Sequence, residues 1–152
     1  PRLDPSAGDA ALFNSGVGWG AITGALFIPV FDASSRVRYA TLATGLDLGV
    51  VAGALLAARY DVSRRRVAFI DLSGFAGMLA GLAAESTVSG ATNDTGSGER
   101  TSHYALGGMA IGLGLGTFLT RNLDVPKLPQ LTPSVTRAAD GQTVVFGLGG
   151  AL

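Results

Sequence analysis

Two carboxylates sit where charge is costly. Asp47 lies inside GLDLGVVAG and Asp71 inside FIDLSGFAG, with apolar residues on both sides. An ionisable group within a membrane-length apolar segment marks either ion handling or a polar packing contact. On the first reading, the two carboxylates relay protons or cations along a wet path. On the second, Asp71 lies within about a turn of its helix start, where the helix dipole favours an anion. Asp47 then pairs with an arginine, or bonds to Asn14 or Ser73 across a helix interface. The packing role is the stronger expectation, because equivalent segments copy a polar packing group each time.

Few other residues offer chemistry. His103 is the one histidine and the chain has no cysteine, so no imidazole and thiolate set for a metal can form. It reads as a surface residue at the edge of a loop. No GxSxG elbow marks a serine nucleophile. GVGWGAITG and ALGGMAIG are glycine-rich like phosphate loops, but neither carries the Lys-Ser/Thr of a Walker loop. Asn93-Asp94-Thr95 has the form of a glycosylation sequon, and its use is not expected. No catalytic residue, metal or cofactor is expected.

The elements that hold the carboxylates are marked by small residues at a spacing of four. The rows are Gly16, Gly20 and Gly24; Gly45, Gly49 and Gly53; Ser73, Gly77 and Gly81; and Gly108, Gly112 and Gly116. Residues four apart share one helix face. A face without side chains lets two backbones approach, which is how helices associate in lipid. Each row lies in its own apolar stretch: about 9–27, 39–58, 67–84 and 104–120. Each stretch is near the 20 or so residues that a spanning helix needs. Charged residues are only 14% of the 152, well under the roughly 25% of a water-facing domain. The formal net charge is zero, which removes the electrostatic case for nucleic acid.

Between these stretches lie polar connections. A lead-in, 1–8, contains Asp4-Pro5, which reads as an N-cap followed by proline in the first turn. Phe31–Arg38 is a short linker, and RYDVSRRR supplies a basic one with Arg59, Arg64, Arg65 and Arg66. These arginines are candidates for anionic lipid headgroups or for a topology signal. Ser86–His103 has the composition of a flexible loop. Trp19, Phe27 and Phe31 fit an interfacial anchor or a core contact. A tail, 123–152, carries Pro126, Pro129 and Pro133 and ends in TVVFGLGGAL, which reads as a strand. Pro1 in place of Met reads as a processed or trimmed start.

The stretches also repeat. Ser6–Asn14 lies over Ser63–Asp71, with Gly20 over Gly77 and Gly24 over Gly81. LDLGVVAGALLA lies over IDLSGFAGMLAG, and the second and fourth stretches end in ARYDV and TRNLDV. Two copies of one hairpin, about 6–62 and 63–125, build a membrane domain over 9–122. SGVGWGAITG, GLDLGVVAG, IDLSGFAGMLAG and GGMAIGLGLG resemble the spans of glycine-zipper repeat membrane proteins of bacterial envelopes, whose function is unassigned. The resemblance covers about residues 6–124 and implies close backbone packing, not an activity.

The expected fold is an all-α membrane four-helix bundle. It would consist of two repeated glycine-zipper hairpins and an extended tail. Four spans place both termini and the 59–66 loop on one side, with Arg2, Arg59, Arg64–Arg66, Arg121, Lys127 and Arg137. Arg36, Arg38 and Arg100 fall on the other. The positive-inside rule makes the termini side internal in an inner membrane. The alternative is an outer-membrane β-barrel. GVGWG and GLGLG alternate, and the tail ends like a last barrel strand. Against it, aromatics are 7%, too few for girdles. The expected role is a non-enzymatic structural or anchoring subunit of an envelope assembly. Its expected partners are the lipid bilayer and either further copies of itself or other envelope subunits. The alternative role is an oligomeric pore or ion-conducting subunit using Asp47 and Asp71.

Overall fold

A computed structural model describes residues 5–31, 34–92, 97–123, 132–137 and 144–149. Four long helices dominate: α1 (Ala7–Phe27), α2 (Ser35–Arg59), α3 (Arg64–Thr92) and α4 (Gly98–Leu119). A 3-10 turn, Pro29–Phe31, follows α1. Two short strands, β1 (Thr132–Arg137) and β2 (Val144–Gly149), form an antiparallel ribbon in which Thr132 pairs with Gly149 and Arg137 with Val144. Thr143 and residues 150–152 of the expected terminal strand lie outside the described residues, as do Pro126, Pro129 and the 93–95 sequon.

The β-barrel alternative finds no support in α1–α4. GVGWG and GLGLG lie within α1 and α4. Their alternation misleads because glycines four apart share a face on a strand as well as on a helix.

Helix ends differ from the expected ones where polar side chains extend them. Ser6, not Asp4, caps α1. Its Oγ accepts from the Asp9 N–H at 3.1 Å, and the Asp9 carboxylate accepts from the Ser6 N–H at 2.8 Å. This is a reciprocal capping box. The loop expected over Ser86–His103 is mostly helix. Ser86 and Thr87 donate to the Ala83 carbonyl and Thr92 to that of Val88. These back-bonds satisfy the hydroxyls within the helix and let α3 run past its apolar part. Ser97 then caps α4 by accepting from the Arg100 N–H at 3.2 Å.

The helices pair through backbone. In the first hairpin, a Cβ placed on Gly16 would lie 2.6 Å from the Gly53 Cα, and one on Gly20 would lie 2.7 Å from the Gly49 Cα. One on Gly45 would lie 2.7 Å from the Gly24 Cα. In the second, a Cβ on Gly77 would lie 2.8 Å from the Gly112 Cα, and one on Gly116 would lie 2.7 Å from the Ser73 Cβ. Gly81 faces Tyr104 and Gly108. A step of four along one helix thus meets a step of four back along its antiparallel neighbour. The two hairpins share this plan.

They join unevenly. α1 packs on α3 and α4, whereas α2 touches α1 alone among the helices. The layout is therefore a pair of hairpins with α2 on the outside, not a closed square of four. Buried apolar side chains among the described residues are few: Val67, Ala105 and Met109. Leu48, Leu55, Leu72, Leu79, Ile111 and Leu119 are each more than 60% exposed. The middle is glycine backbone and the outside is large aliphatic side chains.

Three helices, α1 to α3, are long and apolar enough to cross a membrane, where four spans were expected. α4 is not among them: His103 and Tyr104 lie near its start, and its glycines add little hydropathy. The apolar part of α3, Val67 to Ala84, is about 27 Å long at 1.5 Å per residue, close to a hydrocarbon core.

Candidate functional site

The polar contact between the hairpins is built on Asp71. It lies two turns inside α3, so the helix dipole expected to favour it does not reach it. Its donors come from α1. Ser15 Oγ donates to Asp71 Oδ1 at 2.5 Å, and Trp19 Nε1 donates to the same oxygen at 2.8 Å. Ser15 and Trp19 are one turn apart and so share a face of α1. On α3 the same spacing brings Phe75 beside Asp71. The Trp19 and Phe75 rings lie 4.7 Å apart with a 41° tilt. Gly74 makes room: a Cβ there would come 2.7 Å from the Trp19 ring. Charge-assisted bonds of this kind are about twice as strong as neutral ones.

Sequence reasoning found Asp71 but missed Ser15 and Trp19 as its partners. Asn14, aligned with Asp71 in the repeat and suggested as a partner of Asp47, is exposed and makes no hydrogen bond among the described residues. Ser73, the other suggested partner of Asp47, donates instead to the Phe69 carbonyl at 2.8 Å. Asp47 is exposed and has no hydrogen bond or ion pair among the described residues. The two carboxylates are not brought together. Asp71 faces α1, while α2 meets α1 through the glycines on the side away from Asp47.

A second polar cluster closes the far end of the α3–α4 hairpin. Glu85 is 8% exposed, and the Arg100 Nε lies 3.3 Å from its Oε1. Arg100 Nη2 donates to Ser89 Oγ at 2.6 Å, and Ser89 Oγ donates to Glu85 Oε1 at 2.6 Å. Truncating one member of such a pair leaves the other charge without compensation. Arg100→Leu is therefore expected to destabilise the hairpin by about 1–3 kcal/mol. Adding Glu85→Leu to it should recover most of the loss. Thermal unfolding of the two variants in detergent checks this.

The opposite end is basic. Arg59, Arg64 and Arg65 are exposed and Arg66 is half-buried. The Arg65 guanidinium lies 5.7 Å from the Phe69 ring centre, and that of Arg121 lies 4.4 Å from the Phe118 ring centre. Such contacts turn a cation back along an apolar surface while its head stays in water. His103 is exposed and sits at one end of an open groove of about 800 Å³ between α3 and α4. Ala76, Ala80, Gly107, Ile111 and Leu115 make this groove apolar. Phe27 and Phe31 stack on each other with centroids 6.0 Å apart, beyond the α1 glycines. Among the described residues, no cluster of His, Asp or Glu is suited to a metal ion.

The chain matches no family model, and no curated protein or solved structure is similar to it.

Proposed function

We propose that this chain is a non-enzymatic integral membrane domain, serving as a structural or anchoring subunit of a bacterial envelope assembly. One observation carries the reading. The helices meet through glycine backbone, while their large aliphatic side chains point outwards. In water this arrangement would leave the driving force for folding unused, because apolar area stays wet. In lipid, the outward side chains are solvated, and close backbone contact is what holds helices together. α4 would cross beside α3, its charged first turns level with Glu85 and outside the hydrocarbon. Arg59, Arg64–Arg66 and Arg121 would gather on the inner side and touch anionic headgroups, each worth about 1 kcal/mol.

Membranes washed with alkaline carbonate test this. The chain should stay with the bilayer, and in detergent it should give a strongly helical circular dichroism spectrum. Cysteines placed singly at Ser63 and Ser97 should react with an impermeant thiol reagent from opposite sides. Release by carbonate, or labelling of both positions from one side, would sink the reading.

The runner-up is an oligomeric pore or ion-conducting subunit. The observation that favours it is the carboxylate of Asp47, which has no partner among the described residues. Against it, Asp71 is already engaged by Ser15 and Trp19, and α1 lies between the two acids. Cation flux through reconstituted vesicles that vanished in Asp47→Asn would support the pore over the structural role.

A further inference from the structure

We propose that α2 is the surface through which two copies of this chain pair, with Asp47 at the centre of the contact. The inference rests on the membrane reading above and names the partner and the surface. Among the described residues α2 touches α1 alone, so most of its circumference has no described partner. Gly45, Gly49 and Gly53 are buried against α1. On the opposite side, Ala40, Thr44, Asp47, Val51, Ala54 and Ala58 are all exposed. Their spacings alternate between four and three, the heptad rhythm that lets two helices keep one seam in contact. The outward faces of α3 and α4 carry Leu72, Leu79, Ile111 and Leu115, side chains suited to lipid. The α2 seam carries alanines, Thr44, Asp47 and a single valine instead, with Leu48 and Leu55 along one edge and Val50 along the other. Small residues between larger ones allow close approach of a second helix.

The polar groups on the seam say what covers it. Asp47 is the central residue of a 25-residue apolar helix. It has no partner among the described residues, whereas Asp71 draws two donors from α1. One turn away on the same seam, the Thr44 hydroxyl makes no hydrogen bond either. The hydroxyls of Ser73, Thr87, Thr92, Thr117 and Thr120 all bond back to their own helix. The seam thus carries an unused donor and an unused acceptor within one turn. Two copies in the same membrane present α2 in parallel. Thr44 of each can then donate to the Asp47 carboxylate of the other. A single polar position in an otherwise apolar seam also fixes register. Each copy supplies a hydroxyl to the other's carboxylate, which makes a second copy the fitting occupant.

The native chain has no cysteine, so single cysteines report the seam directly. Full-length Val51→Cys, Ala54→Cys, Leu56→Cys and Leu79→Cys are oxidised in bacterial membranes. Val51→Cys and Ala54→Cys should give a product of twice the chain mass. Leu56→Cys, which faces away from the seam, and Leu79→Cys on α3 should not. Adding Asp47→Leu to Val51→Cys should lower the yield roughly three- to twentyfold, the range that polar contacts in membranes support. Adding Asp47→Asn, which keeps the hydrogen bonding, should preserve it. Equal yields at all four positions would overturn the proposal. So would the absence of a dimer from Val51→Cys in chain that remains in carbonate-washed membranes. A product of any other mass would assign the seam to a different protein. Release of the chain by carbonate would fell the membrane reading itself, and the pairing with it.

Discussion

Alanine at Gly112 is expected to destabilise the protein, and alanine at Gly114 to stabilise it slightly. The two positions are neighbours on α4, and the chemical change is the same. A Cβ on Gly112 would run into the Ser73 carbonyl and come 3.0 Å from the Gly77 Cα. Both obstacles are backbone, so α3 and α4 must separate along their length. Overfilling a packed contact typically costs about 1–3 kcal/mol. A Cβ on Gly114 meets nothing within 4 Å. There alanine only removes the backbone entropy that glycine brings to a helix, a gain of about 0.5–1 kcal/mol. Gly18 and Gly107 are open in the same way and should follow Gly114. Gly16, Gly20, Gly49 and Gly77 meet backbone and should follow Gly112. Leucine at Gly49 or Gly77 should prevent the hairpin from closing. Thermal unfolding in detergent, followed by circular dichroism, reads all of these. Midpoints that moved the same way for Gly112→Ala and Gly114→Ala would remove glycine contact as the basis of the fold.

That contrast shows how far the sequence could be read. The rows at Gly16, Gly45, Ser73 and Gly108 were legible because spacing alone puts their members on one face. The apolar stretches around them gave the number and the order of the helices. Their ends were less legible. Hydroxyls after Glu85 look like loop composition, yet Ser86, Thr87 and Thr92 return their hydrogen bonds to the helix that carries them. The stretch 104–120 counted as a span by its length, but its glycines are nearly neutral in hydropathy, and α4 is not among the helices apolar enough to cross a membrane. The docking of one hairpin on the other was hidden altogether. It depends on contacts between segments far apart in the chain, and no local period records them. Asn14 was aligned with Asp71 and suggested as a partner of Asp47, and it stands one residue from Ser15. On a helix one residue is about 100° of rotation, enough to turn a half-buried partner into an exposed bystander. Asp47 was legible as unusual, but not as unpartnered, because α2's outer position follows from the same hidden docking.

Removing the Asp71 carboxylate should loosen the joint between the hairpins while leaving each hairpin intact. Asp71 receives the Ser15 hydroxyl and the Trp19 N–H, and both donors come from the other hairpin. The glycine contacts within each hairpin do not involve it. In Asp71→Leu the Ser15 hydroxyl can turn back to its own helix, as other hydroxyls here do. The half-buried indole N–H has no such escape, and leaving a donor unsatisfied away from water costs about 1–3 kcal/mol. Trp19→Phe removes the donor and keeps a ring against Phe75, so it should cost less. Combined with Asp71→Leu, it should relieve part of the loss that Asp71→Leu causes in the native background. The non-additivity, read from thermal midpoints by circular dichroism because Trp19→Phe removes the sole tryptophan, measures the hydrogen bond itself. Trp19 is the sole tryptophan, so its fluorescence reports this joint and nothing else. Asp71→Leu should shift the Trp19 emission and lower the midpoint read by fluorescence, with little change in helical content. Loss of helix in step with the fluorescence would mean that the hairpins do not stand apart from their joint. Strictly additive effects of Asp71→Leu and Trp19→Phe would mean that the bond contributes nothing, and that the ring contact with Phe75 alone holds α1 to α3.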